Sequence, residues 1–69
     1  MSASKFDGIL TPREQKVFVL LLKGMKGKDI AAALGISLSG VGFFTKKIYK
    51  KLKVHSKPEL IIRYARETD

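Results

Sequence analysis

The 69-residue chain has no cysteine, one histidine and two prolines. Without thiols there is neither a disulfide framework nor a thiolate zinc site. The lone His55 removes any histidine-pair metal site and any triad needing a second histidine. No apolar run approaches the roughly 18 residues of a membrane span. No charged stub leading into an apolar stretch marks a signal peptide. Acid is scarce: six Asp and Glu face fourteen Lys and Arg, a formal charge of +8. Hydrophobic residues nonetheless make up 45%. That suffices for a core and sets the chain apart from disordered basic tails. The length supports one domain and is small for an enzyme. What remains is a small soluble domain, expected in the cytoplasm, with no cofactor and a polyanionic or acidic partner.

The charge is unevenly spread. Residues 1–29 mix six cations with three acids, and residues 59–69 mix two with three. From Ile30 to Pro58 there are six lysines (Lys46, Lys47, Lys50, Lys51, Lys53, Lys57) and no acid. Such a block is the electrostatic footprint expected of phosphate contacts, although a solvated helix face gives the same composition.

Periodicity predicts an all-α chain of four helices. Residues 1–9 form an N-terminal extension, from which Phe6 and Ile9, with Leu10, are expected to pack against the body. Thr11-Pro12-Arg13-Glu14 is a capping box with proline in the first turn. Val17, Phe18, Leu21 and Leu22 then repeat at helical spacing, and Gly24 is a stop. Lys28 to Leu34 make a short second helix with no good cap at Lys26, ended by Gly35. Ser37 caps a third helix running to about Leu52. Two helices joined by about three residues with a glycine are a helix-turn-helix signature. On the third helix Val41, Thr45, Ile48 and Leu52 form a core stripe with Phe44 at its edge. Phe43, Lys46 and Lys50 lie opposite, flanked by Lys47 and Lys51. Ser56-Lys57-Pro58-Glu59 is a second capping box, opening a helix to about Glu67. Its inner side carries Leu60, Ile61, Tyr64 and Ala65, while Ile62 points away. Tyr49 and Tyr64 are expected to be part-buried.

The run Leu10-Thr11-Pro12-Arg13-Glu14, then Gly24, Lys28-Asp29-Ile30-Ala31, Leu34-Gly35-Ile36-Ser37, Val41, Ile48-Tyr49-Lys50-Lys51-Leu52 and Glu59-Leu60 resembles the LuxR/FixJ/GerE-type DNA-binding domain. The resemblance spans about residues 10–65 without a gap. It implies a four-helix bundle around a helix-turn-helix at about residues 26–45. It also implies a bacterial transcription regulator that binds duplex DNA as a dimer, often through its last helix, where Ile61, Ile62 and Ala65 stand. The recognition helix departs from the family. A basic residue is usual where Ser39 stands, threonine at Gly40, lysine or arginine at Gly42 and histidine at Phe44. Two glycines inside one helix together cost about 2 kcal/mol against alanine. Either the backbone there approaches a partner closely, or the helix no longer reads DNA.

The candidate DNA-binding residues are Ser37, Ser39, Gly42, Phe43, Lys46, Lys47, Lys50 and Lys51. The resemblance puts Lys46 at a base-contact position, with guanine O6 or N7 as acceptor. Lys47, Lys50 and Lys51 read as phosphate contacts, which set register without specifying sequence. Ser37 is first an N-cap, and its backbone amide and that of Leu38 face phosphate second. Phe43 suits a thymine methyl in the major groove, or equally an apolar pocket on a protein partner. The second reading of the whole chain is therefore an interaction module on the same scaffold that sequesters another regulator and binds DNA weakly and non-specifically.

Overall fold

The computed structural model describes residues 9–64. Among them four helices follow one another, α1 (Pro12–Leu22), α2 (Gly27–Leu34), α3 (Leu38–Leu52) and α4 (Lys57–Tyr64), with no strand. No helix among the described residues is long and apolar enough to cross a membrane.

The first helix starts as its sequence dictates. The Glu14 amide donates to Thr11 Oγ1 at 3.2 Å, and the Thr11 amide donates to Glu14 Oε1 at 2.8 Å. Two of the N–H groups that a helix start leaves free are thereby satisfied. Helix α2 begins at Lys26 with no side-chain cap. Helix α3 is capped by Ser37, whose Oγ accepts the Gly40 amide at 2.9 Å.

Three helices end in the same way. Gly24, Gly35 and Lys53 adopt left-handed backbone, at φ 82°, 68° and 58°. The following amide then bonds back five residues, Met25 to the Leu20 carbonyl, Ile36 to Ala31 and Val54 to Tyr49. Each closure folds an apolar residue inward, Met25 and Ile36 partly and Val54 fully. The two glycines are the stops that the sequence predicts. Lys53 is a left-handed lysine that composition does not announce, and it is what carries Val54 into the core.

The core gathers Leu10, Val17, Phe18, Leu21 and Leu22 with Ile30 and Ala31, then Val41, Ile48 and Leu52, closed by Val54 and Leu60. Helix α3 packs against both α1 and α2, and α4 packs on α1. The Phe18 and Tyr64 rings meet edge to face there, 5.9 Å between centroids. The turn between α2 and α3 is Gly35–Ser37.

Two expectations change. Ile9 does not pack with Leu10; it is exposed, at the end of the described residues where no helix covers it. The second capping box closes on a different amide. The Glu59 amide donates to Ser56 Oγ at 3.3 Å, but the Glu59 carboxylate accepts the His55 amide, at 2.8 Å, rather than that of Ser56. That bond holds the Glu59 carboxyl below the usual range. Phe6, Ala65 and the end of the last helix lie outside the described residues.

Candidate nucleic-acid interface

Helix α3 is fixed by its inner stripe. Val41, Ile48 and Leu52 are buried, and Thr45 and Phe44 are half-buried beside them. This phase leaves Leu38, Ser39, Gly42, Phe43, Lys46, Lys47, Lys50 and Lys51 exposed. Ser39, Phe43, Lys46 and Lys50 lie along one row, at the four-three-four spacing that holds one direction on a helix. The helix carries no acid. Its outer face is therefore a rod of about 22 Å, by the rise per residue, bearing cations on its C-terminal two thirds. The exposed Leu38, serine, glycine and one phenyl ring occupy the N-terminal third.

One of the expected contact residues is paired within the chain. The Lys51 ammonium lies 2.7 Å from Glu14 Oε1. Glu14 is 1% exposed, the one charged group in the buried set. Its carboxylate collects the Lys51 ammonium and the Thr11 amide, and the bond from Lys51 holds its pKa below the usual carboxylate range. Lys51 thus neutralises a buried acid, while its own side chain stays 36% exposed. The physical reason is its angle: it stands next to the core stripe on the side facing α1. Residues 14 and 51 are 37 apart in sequence, so no local pattern announced the pair. The Lys57 ammonium is likewise turned inward, onto the Met25 carbonyl.

Phe43 has neighbours that the sequence did not reveal. The Lys47 ammonium sits over its ring, 4.9 Å from the centroid. The Phe44 ring meets it at 71°, with centroids 5.5 Å apart. Phe44 lines a shallow groove of about 300 Å³ together with Val17 of α1, Leu34 of α2 and Ile36 of the turn that follows it. Adjacent aromatics at 43 and 44 were the available signal, and their helical angles alone do not show that the rings touch.

The glycines of α3 differ in kind. A Cβ on Gly40 would come 3.3 Å from the Ser37 hydroxyl that caps the helix, whereas one on Gly42 would meet nothing within 4 Å. Packing within the chain therefore does not ask for glycine at 42. Tyr49 is half-buried, and burial pushes its hydroxyl pKa upward. On α4, Ile61 is half-buried against the core, while Ile62 is 84% exposed.

Comparison with known proteins agrees with this geometry. The model of the family described as bacterial regulatory proteins, luxR family, matches residues 8–64. A Cyanophora paradoxa protein named "Probable transcriptional regulator ycf29" is 39% identical over 59 residues, covering 86% of this chain and 28% of that protein. The oxygen regulatory protein NreC of Staphylococcus epidermidis is 42% identical over 53 residues, 77% of this chain and 24% of its own. The response regulator Rre1 of a Synechocystis strain is 37% identical over 51 residues, 74% of this chain and 22% of its own. The chain thus spans about a quarter of the length of these curated relatives. With four helices, the two-helix turn and this match over nearly all its length, the chain belongs to the LuxR family of bacterial regulatory proteins, as a helix-turn-helix DNA-binding domain.

Proposed function

We propose that this chain, from about residue 10 onward, is the DNA-reading unit of a cytoplasmic transcription regulator. It lays the outer face of α3 in the major groove of duplex DNA and works as a homodimer through α4. One observation carries the reading. The only acid-free helix among the described residues exposes Lys46, Lys47 and Lys50 while its opposite stripe is locked in the core. The major groove is wide enough for such a helix. Lys46 donates to a base edge, Lys47 and Lys50 hold phosphates, and Ser37 and Leu38 offer backbone amides at the helix start. Ser39 and Gly42 let the helix approach closely.

The exposed Phe43 favours one other reading, an apolar anchor on a module that captures another regulator. Selection from a random duplex library separates the two. The DNA reading expects an enriched sequence and a steep loss of affinity with salt. Two phosphates neutralised by Lys47 and Lys50 give a slope of about −1.8 for log K against log salt on B-DNA. Lys50→Ala lowers that slope by about one unit on every sequence alike. Failure to enrich any sequence, with Phe43→Ala breaking a protein complex, supports the capture reading instead.

A further inference from the structure

At 57% exposure Phe43 is the large apolar group on the outer row of α3. Its ring is held on two sides. The Lys47 ammonium covers it at 4.9 Å, and Phe44 abuts it at 5.5 Å between centroids. Phe44 is itself half-buried and packed against the core, and it lines one groove with Val17, Leu34 and Ile36. Beside the ring Gly42 contributes no side chain, and the space where one would stand is open. At this level of the helix the phenyl ring is the part that reaches out, and it has no hydrogen-bonding atom.

That chemistry selects its target. Base edges in the major groove display donors, acceptors and one apolar group, the C5-methyl of thymine. A phenyl ring set against a donor or acceptor strips its water and returns no bond, which is unfavourable. Against a methyl group it buries apolar surface on both sides. We propose that Phe43 is a specificity-determining residue that reads a pyrimidine C5-methyl, with Phe44 and Lys47 as positioning residues that fix the ring. A ring already fixed loses little freedom on binding, so the contact discriminates rather than merely adding affinity. The inference rests on the major-groove reading of α3. The recognised group is the methyl, so thymine and 5-methylcytosine are both accepted at this position, and uracil and cytosine are both disfavoured.

The test uses the full chain and the duplex that it selects. Thymines in that duplex are replaced singly by uracil. One thymine in each half-site should respond, with a loss of about fourfold, the size set by burying one methyl group. At the same position a cytosine–guanine pair should gain a similar factor on C5-methylation of the cytosine. Both effects should vanish in Phe43→Ala. Phe44→Ala should keep the salt slope but lose the thymine–uracil difference, and Phe44→Tyr should retain that difference. The uracil series needs no variant, so it stands whether or not each variant folds. Selected binding in which no thymine is distinguished from uracil overturns the inference and leaves the major-groove reading intact. Absence of any selected duplex overturns the groove reading, and this inference with it.

Discussion

Glu14 shows how far a single residue's role is written locally. Its cap on Thr11 is spelled out within four residues, and the structure has it. Its ion pair depends on α3 returning across α1, which nothing near residue 14 encodes. The pair makes stability acid-sensitive. The folded carboxyl titrates below its unfolded value, so the stabilisation is complete above that unfolded value, about pH 4.3, and fades as pH falls through the folded one. Urea titrations of Glu14→Gln should show a shallower loss of stability below about pH 4 than the parent chain. Lys51→Ala should cost about 1–3 kcal/mol, since a buried carboxylate keeps only the Thr11 amide. The ammonium side is 36% exposed, so water softens the loss. The DNA salt slope of Lys51→Ala should match that of the parent, in contrast to Lys50→Ala. A slope lowered by Lys51→Ala would show that the lysine leaves Glu14 for phosphate. Phe43 is the opposite case. Its outward direction is legible from helical phase alone, whereas its contacts with Phe44 and Lys47 follow from side-chain rotamers that phase does not fix.

At the scale of elements, the helices were legible because their signals are local: capping pairs, apolar spacing, and glycines able to turn left-handed. The end of α3 was less so, because a lysine occupies the left-handed position. For an L-residue that backbone is unfavourable by about 1–2 kcal/mol, partly offset by the greater freedom of an unfolded glycine. Lys53→Gly should therefore raise stability by about 1 kcal/mol in chemical denaturation, with Val54 still folded inward. No change would mean that the lysine side chain repays its strain elsewhere. Inside α3 the reverse substitution is informative. Gly42 is exposed and has open space around it. Gly42→Ala should stabilise the chain by about 1 kcal/mol through helix propensity alone. If the backbone at 42 comes close to DNA, the same variant should bind its selected duplex more weakly while being more stable. Increased stability with undiminished affinity would argue against the close approach.

For the whole molecule, the family pattern and charge block made the architecture and the kind of partner legible, while assembly leaves a fainter trace. The face of α4 turned from the core bears Ile62, 84% exposed, beside Arg63, whose guanidinium is bonded to Glu59 at 3.3 Å. A lone exposed isoleucine is unremarkable on a monomer. At a two-fold axis it acquires a partner, because in an isologous interface a residue on the axis meets its own copy. Ile61 is half-buried against the core, and Ile62 is the fully outward apolar residue of the described part of α4. Ile62→Lys places two like charges on such an axis and disturbs little within one chain. Its melting curve should overlay that of the parent at dilutions where the protein is monomeric. Binding to a duplex with two half-sites should weaken by about tenfold or more, equivalent to about 1.4 kcal/mol of lost coupling. Binding to a single half-site should stay nearly unchanged, and the added positive charge should if anything favour it. Because these effects run in different directions, a general loss of DNA contact cannot imitate them. An equal loss on both duplexes would place Ile62 outside the interface and move the dimer contact to another face.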